Sequence, residues 1–274
     1  MHKDIDEVEF TIFDTETTGL DPARGDRIVE IAALRVKGDK ALGEFQSLVN
    51  PGRPISAGAF AVYKISADMV AAAPRIQDIL PGFCGFIRGS CLCSYNMPFD
   101  MGFLNNEIAL SGFAGLADTQ LIDILAMARR LLPKLQRHAL WYVAGSLRIT
   151  ASQEHRALSD VYLTWEVFRK LIVLLRDKGI NDFAQIEHLF GLDRERARSA
   201  LVEKKTEIQK AIDLGAKLRI RYLSCSDANV TERSVLPKEI KQDDRYTYMI
   251  GFCDLTNREA VFRVDSILEL EIVP

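Results

Sequence analysis

The first fifty residues carry three short apolar runs separated by turn clusters. Val8, Phe10, Ile12 and Phe13 are β-branched or aromatic, as a buried strand requires. Asp21-Pro22-Ala23-Arg24-Gly25-Asp26 reads as a turn, and residues 27–36 as a second strand built on Ile28, Val29, Ile31, Leu34 and Val36. Lys37-Gly38-Asp39 is a hairpin turn into a third strand at 45–49. The three strands form an antiparallel meander, which Asn50-Pro51-Gly52-Arg53-Pro54 ends.

Helical spacing follows. Ser66 or Ala67 starts a short helix through Val70, and Pro74 opens a longer one to Ile87, open to a restart after Pro81-Gly82. Residues 90–95 read as a short buried strand. It hands over at Asn96-Met97-Pro98-Phe99-Asp100 to a helix with Phe103, Leu104, Ile108 and Leu110, which Gly112 ends. Ala117-Asp118-Thr119 is a strand-to-helix join, with Asp118 or Thr119 the cap of a helix over 121–132. Residues 137–147 and 154–175 read as further helices, the second with Leu158, Val161, Trp165, Phe168 and Ile172 at helical spacing. Antiparallel strands followed by strands alternating with helices predict an α/β fold: a mixed sheet with helices packed on it. The charged, periodic stretch 180–214 reads as a linker or small helical subdomain. From Leu218 the period becomes two, and five short strands (218–223, 231–240, 246–253, 259–264 and 267–273) predict a small barrel. The expected organisation is 1–178, a helical linker over 179–214, and 215–274.

Composition narrows the class. An apolar fraction of 48% with 27% charged residues argues against disorder and against a membrane protein. No apolar run reaches the length of a membrane span, and the acidic start Met1-His2-Lys3-Asp4-Ile5-Asp6-Glu7 lacks a signal-peptide core, so a cytoplasmic location is expected. Five cysteines without zinc-like spacing suit a reducing compartment. A net charge of −3 gives no global attraction to nucleic acid, so such binding needs a local basic patch or metal ions at an acidic site.

The chemistry centres on Asp14 and Glu16. Side chains two apart on a strand share a face, so two acids project together from an apolar strand. A solvated strand end explains them as well when the stretch is taken alone. Buried, they must share a proton or find a cation, and a hard divalent ion bound through oxygen answers that need. Asp100 sits where a buried strand meets a helix. Asp160 shares a small, semi-apolar helix face with Ala157, Thr164 and Val167. His155 cannot share that face and belongs to the loop or first turn before it. Four carboxylates can hold two divalent ions ~3.5–4 Å apart, and a neutral His155 can take a proton from a water between them. Mg²⁺ suits such an oxygen site, with Mn²⁺ able to substitute.

The pattern Asp14-x-Glu16, Asn96-x-x-Phe99-Asp100 and His155-x-x-x-x-Asp160 resembles the DEDDh 3′–5′ exonucleases, the family of the epsilon proofreading subunit of DNA polymerase III. The likeness runs over residues 8–175 and extends to Arg27-Ile28-Val29-Glu30-Ile31 and to Phe103-Leu104-Asn105. It implies a ribonuclease H-like fold, with Asp14, Glu16, Asp100 and Asp160 as metal ligands and His155 as general base. It further implies that Thr15, Thr17 and Thr18, with Ile65, Asn96 and Phe103, meet the 3′-terminal nucleotide of a single strand; for Ile65 a place in the apolar core is an equal alternative. Tyr63 and Tyr95 stand where the family often has histidine, which leaves the choice of sugar open. A polymerase or repair partner is unknown.

The last sixty residues resemble a WYL domain, a small SH3-like or Sm-like barrel. The naming tripeptide appears as Thr247-Tyr248-Met249, and Phe262-Arg263 matches better. The likeness implies Arg221, Arg233 and Arg263 as contacts to nucleic acid or a nucleotide ligand; the alternative is a barrel that packs on the nuclease or forms a dimer. The basic run Arg129, Arg130, Lys134, Arg137 and His138 either lines a phosphate path or is a solvated helix face, the latter slightly favoured. His138 is expected to be structural, His2 and His188 incidental, and Trp141 and Trp165 core residues. Asp118 and Asp123 are expected to be caps or surface acids, and Glu107 a support behind the site. The expected activity is release of nucleoside 5′-monophosphates from a 3′ end, of DNA foremost. The rivals are an RNA-trimming oligoribonuclease with the same site, and a regulatory module with a vestigial nuclease, against which the complete set of acids and the histidine argues.

Overall fold

The computed structural model describes residues 3–113, 115–116, 119–150 and 153–273. Its first sheet has the order β3-β2-β1-β4-β5, with β1 (Glu9–Thr17) at the centre. The predicted meander is present: β2 (Ile28–Lys37) pairs antiparallel with β1, and β3 (Lys40–Leu48) antiparallel with β2. On the other side β4 (Cys91–Ser94) runs parallel to β1, and β5 (Leu121–Asp123) parallel to β4. The sheet is therefore mixed.

Its two faces bury separate cores, and the alternation along β1 decides which residue goes where. Phe10 and Ile12 join the face covered by α5 (Ile124–Leu131), α6 (Leu140–Ser146) and α7 (Ala157–Arg176). Phe13 joins the opposite face, under α3 (Ile76–Ile87) and α4 (Met97–Ser111). Phe10 meets Phe168 of α7 at 5.1 Å and Phe13 meets Phe83 of α3 at 6.0 Å between ring centres. The short helices α1 (Ala57–Tyr63) and α2 (Ala67–Ala71) close one end over a small cluster of Val29, Tyr63, Ile65 and Val70.

Four helix expectations change. α3 runs through Pro81 without a restart. The proline forgoes one bond to the Gln77 carbonyl, and Gln77 is exposed, so water can satisfy that group. α5 begins after Asp123, because Leu121 and Ile122 form a strand beside β4 rather than the first helical turn. Thr119 therefore does not cap it, and Ala117 and Asp118 lie outside the described residues. α6 begins at Leu140 and α7 at Ala157, each three residues later than expected.

The stretch 179–214 is divided between two cores. Phe183, Ile186 and Phe190 of α8 (Phe183–Phe190) pack into the first core, while Ile208 and Ala211 of α9 (Arg194–Leu214) belong to a core with the second sheet. That second sheet is antiparallel, in the order β10-β6-β7-β8-β9: β6 (Lys217–Leu223), β7 (Val230–Gln242), β8 (Thr247–Cys253), β9 (Arg258–Arg263) and β10 (Ile267–Val273). Its edge strands β9 and β10 do not pair, so hydrogen bonding does not close it into the expected barrel. No helix among the described residues is long and apolar enough to cross a membrane.

The second sheet bends where β7 carries Pro237, beside a break in register with β8 between Pro237 and Glu239. Gly251 faces Pro237 there, and a Cβ at 251 would lie 2.5 Å from the Leu236 carbonyl oxygen and 2.9 Å from Pro237 Cα. Gly251→Ala is expected to destabilise the protein by about 1–3 kcal/mol, as overpacking against backbone does. Gly85, inside α3, has open space around its Cβ position, and Gly85→Ala is expected to be neutral or to stabilise by about 0.5–1 kcal/mol. Urea midpoints of the two variants should move in opposite directions or differ by that sum.

Candidate active site

β1 outruns its parallel neighbour. Pairing with β4 covers only Phe10 to Ile12, so residues 14–17 project past the end of β4. Period two places Asp14 and Glu16 on the face of Phe10 and Ile12, under the start of α7. Asp160, in the first turn of α7, closes over them. One carboxylate oxygen from each of Asp14, Glu16 and Asp160 lies within 4.8 Å of the other two. Asp100 comes from the first turn of α4 and accepts from the Thr15 backbone N–H at 3.0 Å and from Thr15 Oγ1 at 2.8 Å. It takes up the backbone donor that β4 leaves unpaired. Asp100 therefore stands beside the cluster with one oxygen already engaged.

A second acid on the same face sets the position of α7. Glu30 is the register partner of Glu16 across β1 and β2, and is fully buried. It accepts from Arg156 at 2.7 and 3.0 Å, from the Ala157 backbone N–H at 3.0 Å and from Gln46 at 3.1 Å. Ala157 is the first residue of α7, so a strand carboxylate caps the helix that carries Asp160. His155 has φ 54°, a left-handed conformation uncommon outside glycine, and sits between this anchor and Gln153, whose amide donates to Asp160 Oδ2 at 2.8 Å. The histidine belongs to the loop before the helix, as expected.

Electrostatics separates the acids into two kinds. Burial would raise Glu30, but Arg156 and the helix N–H outweigh it and hold Glu30 below its ordinary value. For Asp14 burial comes first, then the charges of Asp100, Glu16 and Asp160, and its carboxyl is held well above the usual range. Burial and Asp160 push Glu16 up to about 8. Burial takes Asp100 up to about 7 in spite of the bonds from Thr15 and Ser94, and raises Asp160 in spite of Gln153. Asp160 Oδ1 is buried with no hydrogen-bond partner. An orphaned oxygen beside two other carboxylates, with no arginine or lysine bonded to any of the three among the described residues, fits a divalent cation with oxygen ligands. Asp14, Glu16 and Asp160 would hold it, with Asp100 adjacent.

The other expected contacts fall around this cluster in different ways. Thr15 binds Asp100. Thr17 Oγ1 donates to the Gly19 carbonyl at 2.6 Å and Thr18 Oγ1 to Asp26 at 3.0 Å, so these hydroxyls shape their own loop. A Cβ on Gly19 would lie 2.2 Å from the Asp26 carboxylate, so a larger residue there would displace the Asp26 side chain that Thr18 bonds. Tyr63 donates to the Thr17 carbonyl at 3.0 Å. Ile65 and Phe103 are fully buried and lie beneath the surface rather than on it. Asn96 is exposed, at φ 81°, where the chain turns into α4. Glu107 forks onto Arg27 at 2.6 and 2.7 Å behind the loop.

Elsewhere, several roles become specific. Asp123 caps α5 and also accepts from the Met97 backbone N–H. Arg130 leaves the basic run and donates to Leu223 O at 2.7 Å and Ser266 Oγ at 2.6 Å, joining α5 to the second sheet. His138 contacts the Leu132 carbonyl at 3.1 Å. Trp141 is 53% exposed and not a core residue; Trp165 packs against the first core with its indole N–H buried and unpartnered. His188 is not incidental: its Nε2 lies 2.8 Å from Lys204 Nζ. Of the three arginines expected as ligand contacts, Arg221 donates to Lys178 O at 2.8 Å and Gly179 O at 2.6 Å, capping the end of α7. Arg233 bonds Thr231 at 3.0 Å and lies over Phe262; Arg263 bonds Asp265 and lies 3.6 Å over Tyr246. His2 lies outside the described residues. Sequence reasoning missed Glu30 and Gln153. Glu30 had a signal, since an acid inside Ile28-Val29-Glu30-Ile31-Ala32 must be buried and so must be paired.

The Exonuclease family model matches residues 11–168, and the WYL domain model matches residues 203–272. The "DNA polymerase III subunit epsilon-like protein" of Rhodobacter capsulatus is 39% identical over 186 residues, covering 66% of this chain and 26% of the relative. The "DNA polymerase III PolC-type" of Bacillus subtilis is 33% identical over 198 residues, covering 72% of this chain and 14% of the relative. The chain thus spans about a quarter or less of these relatives' length. Among solved structures, the nuclease domain of 3'hExo, a DEDDh family member bound to rAMP, aligns with TM-score 0.56 at 18% identity over 65% of this chain and 97% of that chain. E. coli exonuclease I in complex with a dA16 oligonucleotide aligns with TM-score 0.56 at 18% identity over 90% of this chain and 55% of that chain. These likenesses establish a ribonuclease H-like exonuclease fold for the first sheet and its helices.

Glu30→Gln is expected to destabilise the protein by about 2–3 kcal/mol at pH 7, because Arg156 loses its partner in a half-buried site. Glu30 has a folded value below its ordinary 4.5, so its contribution is complete above that value and is lost as pH falls through the lower folded one. Urea unfolding from pH 7 to pH 3 should show wild type and variant converging at the acid end; a gap that stays constant with pH contradicts the assignment.

Proposed function

The chain belongs to the Exonuclease family, and from that premise we propose that it hydrolyses single-stranded nucleic acid, DNA foremost, from the 3′ end. The product is a nucleoside 5′-monophosphate. The observation that carries the reading is the convergence of Asp14, Glu16 and Asp160, the last with one buried oxygen, Oδ1, that has no partner in the protein. The names of the curated relatives, both of DNA polymerase III, support DNA as the strand and a polymerase as a partner.

We assign Asp14, Glu16, Asp100 and Asp160 to two Mg²⁺ ions, with Mn²⁺ as a substitute. When bound, the ions supply positive charge at the scissile phosphate and acidify water. His155 takes the proton of the attacking water. The water oxygen forms a bond to phosphorus while the bond from phosphorus to the 3′ oxygen of the preceding nucleotide breaks. The shortened strand keeps a 3′-hydroxyl and the released nucleotide keeps the phosphate. Gln153 and Glu30 are positioning residues: one orients Asp160, the other fixes the start of α7. Thr15 orients Asp100, and Thr17, Thr18 and Asn96 border the entry for the terminal nucleotide, with Ile65 and Phe103 supporting it from below. The second sheet, matched by the WYL domain, is assigned as a small SH3-like or Sm-like barrel left open between β9 and β10. A cytoplasmic setting suits both the substrate and the five unpaired cysteines.

The test is release of labelled mononucleotide from 3′-labelled and 5′-labelled single strands of DNA and RNA, with Mg²⁺, Mn²⁺ or EDTA. His155→Ala is expected to lower kcat about 10²–10⁴-fold with little change in KM. Asp14→Asn and Asp160→Asn are expected to abolish release, and EDTA to do the same for wild type. Equal turnover in His155→Ala and wild type would remove His155 from the mechanism, and activity that persists in EDTA would remove the metals.

A further inference from the structure

Where α5, α8, α9 and the second sheet meet, the surface opens into a cavity of ≈ 590 Å³. Five guanidiniums border it: Arg129 and Arg130 from α5, Arg198 from α9, Arg245 before β8, and Arg263 at the end of β9. One carboxylate, Asp265, borders it too. The chain as a whole carries −3, so this concentration of positive charge runs against its average.

The arginines divide into a fixed pair and a free set. Arg130 is held by Leu223 O and Ser266, and Arg263 by Asp265 and the ring of Tyr246. Arg129, Arg198 and Arg245 are exposed and make no salt bridge among the described residues. Two acids precede Arg245: Asp243 accepts from the backbone N–H groups of Arg245 and Tyr246 and from the hydroxyl of Tyr248, and Asp244 is exposed and makes no salt bridge among the described residues. Behind the wall, Lys204 Nζ contacts His188 Nε2 at 2.8 Å, an arrangement of two bases with no acid bonded between them. Burial takes Lys204 down to about 8, and burial with the Lys204 charge takes His188 down to about 4. Asp265, whose charge reaches both bases, is already engaged by Arg263, so the lining carries more guanidinium than carboxylate charge.

We propose that this cavity binds a compact ligand carrying two or more phosphate groups, of the nucleoside triphosphate class, gripped by Arg129, Arg198 and Arg245 over the fixed pair Arg130 and Arg263. Guanidinium forks match phosphate oxygens two at a time, and several forks around one space select clustered phosphates over a single carboxylate. The volume lies within the ~300–1,000 Å³ of small-ligand sites. The ligand would bridge α5 and α9 to the second sheet, adding to the tie that Arg130 already makes. The proposal does not depend on the nuclease reading.

The test is calorimetric titration of the full chain in EDTA, which removes any metal ion that would draw polyanions to the acidic cluster. The probes are ATP, inorganic pyrophosphate, adenosine and a dT12 oligonucleotide, against wild type, Asp14→Ala and the double variant Arg198→Ala/Arg245→Ala. ATP and pyrophosphate are expected to bind one per chain, adenosine not at all. The double variant should weaken ATP about tenfold or more while Asp14→Ala leaves it unchanged. Both substituted arginines are exposed, and Arg129→Ala repeats the test should the double variant lose its melting transition. Absence of saturable ATP binding overturns the proposal, as does binding that the arginine variants leave intact or that Asp14→Ala alters. Binding of dT12 alone gives the cavity to a strand backbone and overturns the compact ligand.

Discussion

Like charges buried in one seam govern this molecule. The face of β1 that packs under α7 begins with Phe10 and Ile12 and continues, at the same period, with Asp14 and Glu16. Water is largely excluded by the same packing that holds the strand and the helix together. The carboxylates therefore face one another in a medium that favours their neutral forms, which is why Asp14, Glu16, Asp100 and Asp160 are all raised. A site of this kind is stable as carboxylates only when a cation joins it.

Glu30 is the exception that makes the arrangement possible. It sits opposite Glu16 in the sheet register and has less solvent exposure, yet it is lowered because Arg156 and the first N–H of α7 point at it. Its partners reverse the shift that its burial alone would give. By taking the first N–H of α7, Glu30 fixes where the helix starts, while Asp160, one turn later, keeps one oxygen without a donor.

Much of this was legible in the sequence, and the parts that were not share a cause. β1 to β4 and the spacing of Asp14, Glu16, Asp100 and Asp160 follow from local periodicity, which a strand or a long helix imposes on its own residues. The strand at Leu121 and Ile122 was read as the start of a helix because a short apolar run looks the same in either state until a neighbour is known, and here the neighbour is β4. Trp141 was assigned to a core by its size, yet it lies on the outer face of a seven-residue helix too short to show a clear stripe. Arg221 and Arg130 read in the sequence as a ligand contact and a solvated or phosphate-facing cation, because several of their acceptors are carbonyl oxygens on distant segments, which carry no signature in sequence. The acid of Arg221, Glu269, lies on another strand. The open edge between β9 and β10 is likewise a matter of how far a sheet curls, which strand count alone does not set.

α7 has an anchor at each end, and the two anchors belong to different sheets. Glu30 of the first sheet holds its N-terminus, and Arg221 of the second holds the carbonyls of Lys178 and Gly179 just past its C-terminus. Twenty residues of helix make a rod of about 30 Å between them. A rod pinned at both ends does not rotate about its axis without breaking one of the pins, and the azimuth of Asp160 is that rotation. The direction in which this carboxylate points is therefore a joint property of both halves of the chain, although it touches only one of them.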